Sequence, residues 1–551
     1  MSSEHRVSGM DRRTLLKLLG ITGAGLVLPG CTGRPAAPAA PTAAPAAAAT
    51  SAPAATSVPA APKAASNNLV IAFNDEIASL DPNGINRNLT QLSPHMAIWD
   101  HLIFQDRDLN YQPGVIKSWE WSDDKLSLDL EVQDGIKFHN GDPLTAEDVA
   151  FTFERMAQDG KAYSGIWKNI KNIQIKDDHH LTLTLEQLNP ALVPWMGFLD
   201  GLVIPKNYFQ EVGEEGFLKN PIGAGPYKFK EFVPGSHLAL EAFEDYWRGP
   251  ASIKNVTYKI VTDSTARAAE VESASADFTV EVPIADFERL SSVSGLTGVS
   301  QPVTDVAVLF VSPYFEPFGD ENVRKAIHYA IDKDAITKDV LLGFGRSQDT
   351  TETPLYMAYP EGYTFPYDLE KAKELLAGAG YTPDNPLKMT VLSTNGFKTR
   401  DYDVMQALVG MWSKVGVQAD IETVTIPQFF ELRSAAKIPS LALYFWSNAT
   451  GDPINSVGLS NFPPSPFSVW KGDVDYTGLK DELTAKLAPI FSEPDEEKRI
   501  AAAKEGAIYV AEHVLMLPLY QVISPIVMKE GLQYEPYPQG WILPYDMEWA
   551  G

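Results

Sequence analysis

Apolar and polar positions alternate with a period of two over Ser127-Leu128-Asp129-Leu130-Glu131-Val132 and again over Leu181-Thr182-Leu183-Thr184-Leu185. Each segment is therefore expected as a strand with one buried face. Leu69-Val70-Ile71-Ala72-Phe73 is apolar throughout and stops at Asn74-Asp75, the pattern of a strand buried on both faces. The period lengthens to three or four in Ala146–Met156, where Val149, Ala150, Phe153 and Met156 fall on one helical face. Thr145 and Asp148 supply a capping box at its start. Val323–Ile331 and Leu369–Ala379 show similar helical spacing, the second ending at Gly380. Strands and helices alternate without a strict repeat, so the class is α/β. The sequence holds no glycine-rich phosphate loop and no zinc-protease or serine-hydrolase motif.

The first 66 residues follow a different pattern. Arg12-Arg13 and Lys17 precede an eleven-residue apolar stretch, Leu18–Leu28. A spanning helix needs about 20 residues, so residues 1–30 read as a signal peptide. Arg12-Arg13-Thr14-Leu15-Leu16-Lys17 is similar to a twin-arginine export signal, with Sec export as the alternative. Leu28-Pro29-Gly30-Cys31 resembles a lipobox, which makes Cys31 the expected lipidation site. Residues 32–66 contain 17 Ala and 7 Pro and offer nothing to bury. With Cys31 they read as a tether, spanning roughly 30 Å if flexible and about 100 Å if extended.

Composition narrows the function. The 551 residues are 44% apolar, enough for roughly two to four packed domains. The net charge is −26, or −28 (41 basic against 69 acidic residues) once the first 30 are removed. A surface of that sign repels phosphate backbones, so no nucleic-acid partner is expected. Cys31 is the only cysteine, which excludes an internal disulfide and a thiolate metal site. His179 and His180 are adjacent and do not share a strand face, so no metal and no cofactor is expected.

Several segments in order resemble the peptide/nickel branch, family 5, of extracytoplasmic solute-binding proteins of ABC importers. They are Ser79-Leu80-Asp81-Pro82, the run Gly135–Val149 containing Phe138-His139-Asn140-Gly141-Asp142-Pro143, Pro221–Phe229 with Gly223 and Gly225, Glu244–Gly249, Pro317–Asp332, Tyr367–Lys373 with Gly380-Tyr381, and Pro518-Leu519-Tyr520. The resemblance spans roughly residues 68–530. It implies a periplasmic-binding-protein-like two-lobed fold, type II, with an extra subdomain. Residues 68–105, 221–308 and 520–551 would form lobe I, 106–220 the extra subdomain, and 309–519 lobe II. It further implies a binding protein and no enzyme: a monomer outside the cytoplasm, held to the membrane by its lipid, that passes a small solute to ABC permease subunits. An exported enzyme is the alternative from another class, and no nucleophile–base spacing supports it.

In peptide-binding relatives an aspartate pairs with the ligand's α-ammonium. Counting from Trp446 and Pro453 in Tyr444–Pro453, that position is Ala449. Its absence favours an oligosaccharide, a glycoconjugate or a modified peptide over an ordinary di- or oligopeptide, because a buried ammonium without a carboxylate is costly. The alternative keeps the ordinary peptide, with Asp452 as substitute. Trp446 and Tyr444 are candidates for stacking on a sugar or ring, and Asn448 for pairing with a hydroxyl or amide. Arg87 and Asn88, in the loop after Asp81-Pro82, are candidates for an anionic or polar group. Pro464–Trp470 is a candidate entrance segment, with Trp470 the candidate contact. Each of these side chains has an ordinary packing or solvated role as its alternative.

Overall fold

The computed structural model describes residues 67–84, 89–161, 163–198, 201–471 and 474–550. The signal, the tether, Cys31, Arg87 and Asn88 lie outside the described residues. Everything below concerns the unit Pro62–Gly551.

The alternating segments form strands where expected. Asn68–Phe73, Ser127–Val132 and His180–Leu185 are all extended, and Leu128, Leu130 and Val132 point inward while Asp129 is exposed. The helix Ala146–Met156 starts at Thr145, whose side chain and that of Asp148 close the capping box. Helices Glu321–Tyr329 and Leu369–Gly378 follow, each capped by an aspartate, Asp320 and Asp368. The protein is α/β, with a mixed sheet of eleven strands.

Along that sheet the order is Gln418–Thr423, Lys388–Ser393, Leu441–Ser447, Leu296–Val311, Met516–Lys529, Phe278–Val280, Asn68–Phe73, Asn255–Ile260, His237–Ala242 and Tyr227–Val233. Gly345–Ser347 pairs to Met516–Lys529 beside this path. The two long strands, Leu296–Val311 and Met516–Lys529, run antiparallel through the middle. Their first stretch, Leu296–Pro302, pairs with Ile523–Lys529. Their second, Val306–Phe310, pairs with Met516–Gln521. The register shifts between Pro302 and Val306, so the ladder is interrupted at this crossing. One apolar cluster gathers Leu309, Trp412 and Leu517 on one side of the crossing. Another holds Ile71, Trp99 and Tyr258 on the other. A separate antiparallel sheet is ordered Ile116–Trp121, Ser127–Val132, His180–Leu185, Ile170–Ile175.

The sequence motifs of the resemblance are mostly structural. Gly223 and Gly225 lie against the end of helix Leu89–Ile98, where a Cβ would come within 2.1 Å of the Ile98 carbonyl oxygen or 2.6 Å of its carbon. No other residue fits that approach. Asp81 accepts two bonds from Arg155, at 2.7 and 2.8 Å, and one from Lys161 at 3.1 Å. Burial alone would raise its carboxyl, yet the two cations hold it down at about 2.

Candidate functional site

At the crossing of the two long strands lies a cavity of about 340 Å³, a size within the usual range for small-molecule sites. Gln301, Val303 and Asp305 come from one crossing strand, Ser524 and Ile526 from the other. Val280 and Glu281 border it on one side with the segment Tyr534–Trp541. Phe397, Lys398, Phe430, Arg433, Tyr444 and Trp446 border it on the other. Tyr163, Trp195 and Phe198 contribute a further wall.

Tyr444 and Trp446 stand on one face of strand Leu441–Ser447 because side chains two apart point the same way. Tyr444 stacks on Phe429 at 4.8 Å and 7°, and Phe397 lies parallel to it at 6.2 Å. The indole Nε1 of Trp446 donates to the Asn455 carbonyl at 2.7 Å, which fixes the ring's orientation. These rings form a flat apolar surface rather than a polar one.

Charge is placed at two points. Lys398 donates to Asp305 at 2.8 Å and sits 3.5 Å from Glu281, so it joins the two sides of the cavity. Burial pulls its ammonium down, but the two carboxylates outweigh burial and raise it. The trio carries one net negative charge. Arg433, in the last turn of helix Ile426–Ser434, is 7% exposed. Its guanidinium lies over Phe430, Phe429 and Phe467 at 5.1, 5.8 and 6.0 Å. Among the described residues no carboxylate lies within ion-pair distance of it.

Four buried polar atoms of the lining residues have no hydrogen-bond partner. Three are donors: Arg433 Nε, Trp541 Nε1 and Asn455 Nδ2. The fourth is the acceptor Gln539 Oε1. Unpaired buried polar atoms are costly, and this wall therefore has three donors and one acceptor to offer a guest.

The residues singled out from the sequence divide. Tyr444 and Trp446 line the cavity. Asn448 and Ala449 are each 1% exposed and lie outside its lining; Asn448 Oδ1 accepts from Thr450. Asp452 is 2% exposed and forms a two-pronged pair with Arg499 at 2.9 and 2.7 Å, which already uses its charge. Trp470 is buried in the core, while Phe467 of the same segment reaches the cavity. His179 faces Asp134 and His180 faces Asp177, and no metal-holding cluster occurs among the described residues. Asp305, Lys398, Glu281 and Arg433 were not singled out. Asp305 did carry a signal, as the one acid in the apolar run Val303–Val311. Arg433, in Glu431-Leu432-Arg433-Ser434, carried none.

Among described residues no helix is long and apolar enough to cross a membrane. Known proteins agree on the fold. HbpA2 from Haemophilus parasuis superposes with a TM-score of 0.74 at 22% identity, covering 88% of this chain and all of that one. Heme-binding protein A of Haemophilus influenzae is 25% identical over 457 residues, 77% of this chain and 81% of its own length. Di/tripeptide-binding protein 1 of Pseudomonas aeruginosa is 26% identical over 490 residues, 83% and 89% of the two chains. The profile of bacterial extracellular solute-binding proteins, family 5 (middle), matches residues 110–465, more than half of the chain. The chain belongs to family 5 of the bacterial extracellular solute-binding proteins, the solute receptors of ABC importers.

Proposed function

We propose that the chain captures a small solute in the cavity at the strand crossing and presents it, lobes closed, to the permease subunits of an ABC importer. The observation that carries this reading is the cavity's double lining: Glu281, Ser524 and Trp541 belong to the proposed lobe I, Lys398, Arg433 and Trp446 to lobe II. A solute touching both favours the closed arrangement, as a population shift requires. Residues 106–220, with their own four-stranded sheet, form the extra subdomain in this reading. Cys31 carries the lipid that keeps the receptor at the membrane; Cys31→Ser is expected to move it from the membrane to the soluble fraction.

Of the solute classes weighed from the sequence, a modified peptide suits the site better than an oligosaccharide. The rings offer stacking to either, but three unpaired donors against one unpaired acceptor suit carbonyl and carboxylate oxygens, which accept without donating, better than hydroxyls, which must also donate. An ordinary peptide is the second reading, and Asp305 with Glu281 favours it, since their net negative charge can receive an ammonium. A thermal-shift screen of blocked peptides, free peptides and oligosaccharides separates them. At a hundredfold excess over the dissociation constant, the right class stabilises by about 2.7 kcal/mol. Stabilisation by oligosaccharides alone would overturn the preference for a peptide-like solute.

A further inference from the structure

We infer that Arg433 is the anchor for an anionic group of the solute, a carboxylate or a phosphate borne next to an aromatic or apolar group. The inference rests on the reading that the cavity at the crossing is the solute site. An arginine only 7% exposed normally has a carboxylate beside it. This one has three phenyl rings, an unpaired Nε and a cavity. A second cation within electrostatic reach adds to the demand for negative charge. Lys471, whose Nζ donates to the Ser465 carbonyl at 2.9 Å, also has no carboxylate within ion-pair distance among the described residues. Burial and the charge of Arg433 both push the Lys471 ammonium down. The unpaired donors of Asn455 and Trp541 line the same cavity. The carboxylates of the cavity cannot serve Arg433, because Asp305 and Glu281 are held by Lys398. Phe430 and Tyr444, beside the guanidinium, offer the apolar surface on which the rest of the guest lies.

The full chain is titrated in thermal-shift assays with N-acetyl-tryptophan, with phenyl phosphate and with the neutral N-acetyl-tryptophanamide. The expected result is that an anion half-saturates at a concentration at least about tenfold below the amide, the margin of one charge-assisted bond. Arg433→Met should erase that margin, and without ligand it should melt no lower than the parent, since it removes a buried unpaired charge. A response to N-acetyl-tryptophan alone assigns a carboxylate, and to phenyl phosphate alone a phosphate; both support the anchor. The inference is overturned if the amide matches the anions, if neither anion stabilises, or if the margin survives in Arg433→Met. It is also overturned if the ligand-free variant melts several degrees lower, because the guanidinium is then a packing element. Ser524→Trp, which fills the cavity, separates this from the broader reading. A solute that stabilises the parent and Arg433→Met alike but not Ser524→Trp keeps the cavity and removes only the role of Arg433.

Discussion

Glu352 is fully buried near Ser456 and Asp452, and neither of its carboxyl oxygens has a hydrogen-bond partner among the described residues. Burial raises its carboxyl to about 8 from the usual 4.5, the Ser456 hydroxyl opposes this, and the charge of Asp452 adds to it. A folded-state value above the unfolded one means that the folded chain keeps a proton the unfolded chain releases. The stabilising contribution is therefore complete below pH 4.5 and is lost as pH rises toward 8. Glu352→Gln removes this dependence. It is expected to be roughly 2 kcal/mol or more stabler than the parent at pH 8, measured by urea unfolding across pH 4.5–8. Equal slopes in both proteins would contradict the assignment. His328 carries the opposite sign. Burial, then the Lys333 charge, holds its imidazole well below the usual 6.5, so its contribution is present above pH 6.5 and falls away in acid.

At the scale of elements, Asp452 ties its loop to helix Glu496–Glu512 through Arg499. Both side chains are under 5% exposed, so the pair cannot be broken without stranding a charge. Asp452→Asn is expected to cost about 3 kcal/mol of stability and to leave solute affinity at the crossing unchanged. Chemical unfolding and calorimetric titration of the same variant check both, and a selective loss of affinity would return Asp452 to the site. The elements themselves were largely legible. Helix Ala146–Met156 has the bounds its capping box and spacing dictate, and strand Ser127–Val132 those of its alternation. The site was legible only in part. Tyr444 and Trp446 follow from an aromatic strand with period two. Asp305, Glu281 and Lys398 come together from three distant segments, a juxtaposition no local pattern encodes. Arg433 sits in a helix's last turn, where an arginine ordinarily faces water.

At the scale of the molecule, Lys398 of the proposed lobe II reaches Asp305 and Glu281, both of the proposed lobe I, so one ammonium ties the lobes together. Without the ammonium the two carboxylates lose their only partner on the other lobe among these three groups, which favours separation. Lys398→Met is therefore expected to enlarge the radius of gyration of the ligand-free protein in small-angle scattering. Solute affinity should weaken about tenfold, the share of the closed state that has been lost. An unchanged scattering profile would show that the bridge does not bias closure.

Both halves of the large sheet depend on one strand near the end of the chain. Met516–Lys529 lies between Leu296–Val311 and Phe278–Val280, and without it the two halves of the sheet share no ladder. A chain growing from its first residue must therefore extend past residue 515 before this strand can join the two halves. Until then the edges facing it on both sides stay open, so a late segment of the chain sets the moment at which the whole sheet closes and the protein becomes protease-resistant.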